Sequence, residues 1–162
     1  MRRKPVIAAS VAVAGLAAMA AFARQRGGEA EEAERLAFLG EPVAAEAIAI
    51  GQGLYAENCA SCHGADLEGQ ADWKRRLPNG RMPAPPHDET GHTWHHADRA
   101  LFTITKGGIE AIVPGYESDM PAFGGILSDA EISAVLAYIK STWPERQREF
   151  QASVTANDEG GS

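Results

Sequence analysis

Cysteine is scarce in this chain, whose 162 residues contain only Cys59 and Cys62. Without a second cysteine pair a four-cysteine zinc site is excluded, and a Cys₂His₂ site would have to recruit scattered histidines. The sequence also lacks alternating strand patterns and any βαβ pattern around the cysteines, which argues against a thioredoxin-like dithiol. Finally, it lacks an excess of basic residues. A net charge of −7 argues against nucleic acid or an anionic membrane surface as the binding partner.

The two cysteines belong to the segment Cys59-Ala60-Ser61-Cys62-His63. This spacing is typical of the attachment site of a c-type haem. Each sulfur can form a thioether with one haem vinyl group, and the histidine that follows can then bind the iron as the proximal ligand. The alternatives are a structural disulfide and a zinc site, because both can use a C-x-x-C pair. The motif predicts one haem c, covalently bound through Cys59 and Cys62.

A second axial ligand is predicted at Met120, in the segment Met120-Pro121-Ala122-Phe123-Gly124-Gly125. A thioether sulfur is a suitable ligand for haem iron, and methionine opposite histidine raises the reduction potential. Pro121 stiffens the loop after the ligand, and the two glycines let the backbone turn close to a porphyrin. The alternative is that Met120 is an ordinary apolar loop residue that fills a gap. Met82 is a rival ligand, but a proline-rich turn follows it.

These motifs and their order make residues 41–143 resemble the class I monohaem cytochromes c. Gly51-Gln52-Gly53-Leu54-Tyr55 precedes the cysteine motif, and the Met120 loop precedes a terminal helix that contains Tyr138. The resemblance implies an all-α fold of three to five helices around one covalently bound haem. It also implies that the N- and C-terminal helices cross. The long segment of residues 65–96 departs from the simplest members of the family.

The resemblance assigns roles to individual residues as well. Gly51 and Tyr55 match the crossing positions on the first helix, and Val135 and Tyr138 match those on the last. The family places a proline whose carbonyl accepts a hydrogen bond from the proximal imidazole. Pro85 is the better match to that proline, and Pro86 is the alternative. Such a bond would orient His63 and raise its basicity.

Composition divides the chain into four parts. Residues 1–23 combine a basic head, an apolar run and a small-x-small motif, and are interpreted as a signal peptide or an N-terminal membrane anchor. Residues 24–41 are predicted to be an acidic linker, residues 42–144 the cytochrome c domain, and residues 145–162 a flexible tail.

Three helices are predicted within the domain. They cover residues 45–58, residues 98–106, and a terminal helix that begins with a Ser128–Glu131 capping box. In the terminal helix, apolar residues recur at helical spacing: Ile132, Val135, Leu136 and Ile139. Pro144 limits its continuation.

Four of the five histidines fall between residues 87 and 96: His87, His92, His95 and His96. Such a cluster could bind copper or zinc, or replace a haem ligand. The simpler interpretation is a polar loop whose imidazoles bond the backbone or the haem propionates, with Trp94 against the porphyrin edge. No carboxylate or thiolate completes a recognisable metal set.

We therefore expect an electron carrier rather than an enzyme, because His63 and Met120 would fill both axial positions and leave no site for a substrate. The alternatives are a haem protein with a labile sixth ligand, acting as a small-ligand binder or redox-enzyme subunit, and a copper- or zinc-handling protein. The expected protein is a monomer on the periplasmic side, soluble or tethered. Its partners are redox proteins with a basic docking patch, because removal of residues 1–23 leaves twelve basic and twenty-two acidic side chains.

Overall fold

The computed structural model describes residues 36–160, so the predicted signal peptide or anchor, most of the predicted linker and residues 161–162 lie outside the described residues. The described part has five α-helices: α1 (Ala45–Asn58), α2 (Ala60–His63), α3 (Asp98–Gly107), α4 (Asp129–Thr142) and α5 (Glu145–Gly160). Two 3₁₀ turns cover Thr93–His95 and Ile109–Ala111. The predicted all-α fold is confirmed, with one small addition. Two strands of two residues each, β1 (Ala37–Phe38) and β2 (Glu41–Pro42), pair antiparallel before α1.

The first and fourth helices cross, as predicted, at Gly51. A β-carbon built on Gly51 would lie 2.0 Å from the carbonyl oxygen of Ala134 on α4, which is far inside any van der Waals contact. Tyr55, one turn later on α1, is almost fully buried, and its ring lies 5.6 Å from that of Tyr138. Glycine therefore lets the two backbones touch, while the aromatic rings fill the angle beside the contact.

Helix α4 forms the centre of the core. Its predicted capping box is present: the Ser128 hydroxyl accepts from the backbone N–H of Glu131, and the Glu131 carboxylate accepts from the backbone N–H of Ser128. These bonds satisfy N–H groups that a helix start leaves unpaired. The helix then buries the predicted apolar positions together with two alanines and a lysine: Ile132, Ala134, Val135, Leu136, Ala137, Ile139 and Lys140.

Two predicted boundaries need correction. The end of the supposed linker belongs to the core, because Leu36 and Phe38 are buried and the N–H of Val43 donates to the Leu36 carbonyl at 2.8 Å. Residues 145–160, predicted from the sequence as a flexible tail, form helix α5 in the structure. Pro144 ends α4 as expected, but a proline fits the start of a helix, and α5 begins at the next residue.

Helix α5 is fixed by a buried polar network rather than by an apolar stripe. Gln151, which has no exposed surface, donates to the Asp98 carboxylate at 2.6 Å and to the His96 carbonyl at 3.2 Å. The Lys140 ammonium donates to the same carboxylate at 3.1 Å, and the backbone N–H of Leu39 donates to it at 3.0 Å. The Asp98 carboxylate therefore joins α3, α4, α5 and the β1–β2 turn.

Among the helices of residues 36–160, none combines the length and the apolar character needed to cross a bilayer.

Candidate functional site

The two cysteines and the adjacent histidine lie where α1 gives way to α2. The N–H of Cys59 still donates to Tyr55, as in a helix, and the N–H of His63 donates to the Cys59 carbonyl at 2.9 Å. The Tyr55 hydroxyl donates to the Gly64 carbonyl at 2.8 Å, which ties the end of this turn back to α1. All three predicted haem-binding residues of the motif are thus presented by one compact turn.

The two thiols differ in their surroundings. Both are free, and Cys62 is exposed whereas Cys59 is partly buried against the core. Burial, with a smaller contribution from the neighbouring Cys62, raises the pKa of the Cys59 thiol to about 11. Because Cys62 is exposed, it is the more accessible thiol of the pair.

His63 is buried and is held by a backbone carbonyl. Its Nδ1 lies 2.9 Å from the carbonyl oxygen of Pro85, so the predicted partner is confirmed and the alternative, Pro86, is not used. Burial lowers the pKa of His63, and the bond to Pro85 opposes part of that effect. With Nδ1–H donating to the carbonyl, Nε2 carries the free lone pair, as a metal-binding imidazole requires.

Gly69 brings the Pro85 carbonyl within reach of the imidazole. It has a φ of +69°, and a β-carbon there would lie 2.4 Å from the Pro86 nitrogen. Its N–H donates to the His63 carbonyl at 2.7 Å. Only glycine combines this conformation with such a close approach of two backbone segments.

His87 packs flat against His63. The ring centroids are 4.0 Å apart, and the planes differ by 20°. Burial, and next the neighbouring His63 ring, lower the pKa of His87 well below its ordinary value. The sequence singled out His87 only as part of a histidine-rich loop. The signal that could have found this contact is its position two residues after Pro85, which itself bonds His63.

Met120 lies in a loop that α3 holds in place. The N–H groups of Phe123 and Gly124 donate to the carbonyls of Thr105 and Lys106 at 3.0 and 2.9 Å, and Phe123 is buried. Met120 is partly buried and packs against the same hydrophobic core as Cys59. Its backbone N–H donates to the Ser118 hydroxyl at 3.1 Å. The side chain therefore borders the core that the cysteine turn also borders.

Met82, the alternative axial ligand, follows Arg81 in the sequence. An ion pair of Arg81 links the segment that contains Met82 to the Met120 loop. Arg81 donates to the Asp119 carboxylate and lies 4.0 Å from the Glu117 carboxylate. Arg81 thus links the Met82 segment to the Met120 loop, and the Met120 loop is in turn held to the end of α3 by the backbone hydrogen bonds of Phe123 and Gly124.

The remaining histidines of the loop pair with aromatic rings. His92 stacks on Trp73 at 5.3 Å, and His95 stacks on Trp94 at 3.7 Å, with the Phe150 ring of α5 edge-on to both members of the second pair. The Nδ1 of His95 also lies 3.2 Å from the His92 carbonyl, so one imidazole does bond the backbone. Within residues 36–160, no group of three or more His, Cys, Asp and Glu side chains is arranged to hold a metal ion.

The donor set of the cysteine turn fits a haem. Two free thiols at the required spacing stand beside a buried imidazole whose Nδ1 is already bonded, leaving Nε2 for iron.

The chain is similar to a known protein family and to several known proteins. The cytochrome c family model matches residues 48–143. The CcoP subunit of a cbb3-type cytochrome c oxidase from Rhodobacter capsulatus is 33% identical over 104 residues, which are 63% of this chain and 31% of that protein. The FixP subunit of the cbb3-type oxidase of Azorhizobium caulinodans is 33% identical over 96 residues, or 59% of this chain and 29% of that protein.

A shorter relative matches over most of its length. Cytochrome c6 of a Synechococcus strain is 29% identical over 104 residues, which are 63% of this chain and 76% of that protein. The chain spans less than a third of the cbb3-type subunits. No solved structure matches it. Since the family model covers more than half of the chain, and the thioether-forming cysteines fall within it, the protein belongs to the cytochrome c family and its cofactor is haem c, bound through Cys59 and Cys62.

Proposed function

We propose that the protein is a one-electron carrier in which His63 and Met120 are the two axial ligands of the haem. The iron of such a group cycles between the ferric and ferrous states and supplies the redox chemistry. The observation that carries the proposal is the bond from His63 Nδ1 to the Pro85 carbonyl, which leaves Nε2 of a buried imidazole free for iron. Bonding at Nδ1 also makes Nε2 a stronger electron donor.

The fixed position of the Met120 loop also supports the proposal. Two backbone hydrogen bonds to the end of α3 and the buried Phe123 ring fix the loop, and Arg81 bonds the residue just before the methionine. A ligand on a fixed loop changes little in position when the iron changes charge, which favours rapid electron transfer over binding of other molecules. With both axial positions filled by the protein, a substrate has no site at the iron, so we propose a carrier and not an enzyme.

The ligand assignment is tested by comparing Met120→Ala with Met82→Ala in protein matured in a haem-attaching host. Met120→Ala should lose the weak far-red absorption band of a methionine-ligated ferric haem. It should also have a lower reduction potential and bind carbon monoxide or cyanide. Met82→Ala should keep the wild-type spectrum. The reverse pattern would assign the ligand to Met82, and a far-red band in both variants would show that either methionine can bind the iron when the other is absent, which contradicts Met120 as the sole ligand.

Covalent attachment is checked independently of the ligands. Acid–acetone extraction of the holoprotein should leave the colour with the polypeptide, because the thioethers to Cys59 and Cys62 survive this treatment. Colour that partitions into the solvent from the wild type would contradict the thioether bonds.

The proposed setting is the periplasmic side of the membrane, with redox proteins that present a basic docking patch as partners. Haem attachment outside the cytoplasm agrees with the predicted signal or anchor of residues 1–23, and the excess of acidic residues favours a basic partner. Mass spectrometry of protein purified from its native membrane or periplasmic fraction tests the first point. Cleavage after Ala23 gives a chain that begins at Arg24, and a mass that retains residues 1–23 identifies an anchor.

A further inference from the structure

We propose that His87 is a positioning residue that fixes the plane of the His63 imidazole. The proposal rests on His63 as the proximal haem ligand but not on the identity of the distal ligand. The hydrogen bond to Pro85 holds one edge of the His63 ring, at Nδ1. A single bond at one edge still permits the ring to tilt and turn about that contact. The His87 ring, 4.0 Å away and within 20° of parallel, covers the face of His63 and removes this freedom.

The His87 side chain is itself fixed by Thr93. The Thr93 hydroxyl lies 3.4 Å from the Pro86 carbonyl and 2.8 Å from His87 Nδ1. When the hydroxyl donates to the carbonyl, its oxygen is left to accept from Nδ1–H of His87. Thr93 is buried, so water does not compete for either bond. The plane of the His87 ring is therefore set by a directional contact as well as by packing.

The backbone of His87 is pinned at both of its polar groups. Its N–H donates to the Leu67 carbonyl at 2.7 Å, and its carbonyl accepts from the indole N–H of Trp143 at 2.7 Å. Trp143 is almost completely buried and directly follows α4. Through these bonds the position of the His87 ring depends on the terminal helix of the core and not only on its own loop. The His63 plane is thus coupled through Trp143 to the buried core.

The geometry requires a flat ring at position 87. An apolar side chain of another shape does not meet this requirement. A leucine would fill the space, but its branched methyl groups form an uneven surface. Against that surface the His63 imidazole could pack in several orientations. A phenylalanine would keep the flat face while losing the bond to Thr93. Another stacked histidine, His95, faces Trp94 instead of His63 and so provides a matched control.

The experiment compares His87→Leu, His87→Phe and His95→Leu in haem-loaded protein. The readouts are the g-values of the ferric form, the proton NMR shifts of the haem methyl groups, and the reduction potential. The methyl shifts report the orientation of the ligand plane and do not follow fold stability. We expect His87→Leu to change the order or spread of the methyl shifts and to move the g-values, whereas His87→Phe and His95→Leu should retain the wild-type pattern.

Several outcomes would overturn the proposal. Wild-type methyl shifts in His87→Leu would show that the stack does not set the ligand plane, and equal shifts in His87→Leu and His87→Phe would show that ring flatness is not the cause. If His87→Leu does not load haem, His87→Ala decides, because it removes the flat ring without adding a branched side chain. An altered methyl pattern in that variant supports the proposal, and an unaltered one contradicts it. Absence of the far-red band in the wild type would refute the Met120 ligand while leaving these comparisons interpretable.

Discussion

At residue 51 the contact between α1 and α4 has room for a hydrogen atom but not for a methyl group. The nearest neighbours of a β-carbon at this position would be the carbonyl group of Ala134 and the β-carbon of Tyr138, and the first of these belongs to a helix backbone that cannot turn aside. Gly53, two positions later on the same helix, has no atom within 4 Å of such a β-carbon. The two glycines therefore have different roles, although the sequence pattern Gly51-Gln52-Gly53 does not distinguish them.

Gly51→Ala should destabilise the protein, because the helices must separate to admit the methyl group. Overpacking of this kind typically costs about 1–3 kcal/mol. Gly53→Ala is the matched control: it should leave stability unchanged or raise it by up to about 1 kcal/mol, since alanine favours a helix more than glycine does. Thermal unfolding of both holoproteins, followed by far-UV circular dichroism, measures the difference. Equal melting temperatures for the two variants would mean that α1 and α4 do not meet at Gly51.

Individual site residues can be predicted from the sequence where the required chemistry is local. The cysteines and His63 follow from a five-residue spacing, and Pro85 follows from resemblance to the family. The stacking of His87 on His63 could not be predicted in this way. It depends on a loop that returns to the cysteine turn through Gly69 and on a tryptophan at the end of α4, and neither leaves a periodic signal near residue 87.

At the scale of elements, one buried carboxylate connects helices that are far apart in sequence. Asp98 and Lys140 are both buried, and Gln151 and the Leu39 N–H complete the hydrogen bonds of the carboxylate. A buried charge is tolerated when a partner and further hydrogen bonds accompany it. The Lys106–Asp129 pair is different, because both side chains are largely exposed to water.

Lys140→Met should be strongly destabilising, because it leaves the Asp98 carboxylate buried without its cation. Removal of one partner of a buried pair costs about 3–5 kcal/mol. The same change at Lys106, which removes an exposed ion pair, should cost no more than about 1 kcal/mol. Urea unfolding of the two holoproteins provides the comparison. If Lys140→Met unfolds at the same urea concentration as Lys106→Met, the Asp98 network does not stabilise the fold.

Elements with a local signature were predicted with nearly correct bounds. Helix α1 begins and ends where the sequence indicates, α3 extends one residue further, and the capping box places the start of α4. Helix α5 was missed because its sequence is rich in charged and small polar residues and has little apolar periodicity. Its attachment comes from Gln151, whose partners lie more than fifty positions away. A polar residue that is buried only through distant contacts cannot be distinguished in the sequence from one that is exposed.

At the scale of the whole molecule, the folding unit is larger than the region that matches the cytochrome c family. The family match covers residues 48–143, yet core residues precede it at Leu36 and Phe38, and α5 follows it. Helix α5 covers the 3₁₀ turn Thr93–His95 through its Phe150 ring, and an exposed ion pair joins Asp158 to Arg99 on α3. These contacts place α5 over the loop that carries the histidines rather than over the cysteine turn.

Deletion of α5, by a stop after Pro144, should therefore lower the stability of the holoprotein while leaving haem attachment intact. The deletion removes the hydrogen bond from Gln151 to Asp98, and a hydrogen bond to a charged group is worth about 1.5–3 kcal/mol. For a domain of this size that loss corresponds to a fall in Tm of roughly 5–15 °C. A stop after Asp158 is the control, because it keeps Phe150, Gln151 and the pair with Arg99. Thermal unfolding measures both proteins, and extraction with acid–acetone checks that each retains its haem. A protein ending at Pro144 that melts together with the control would show that α5 does not stabilise the fold, and the folding unit would then end at Pro144, the boundary predicted from the sequence.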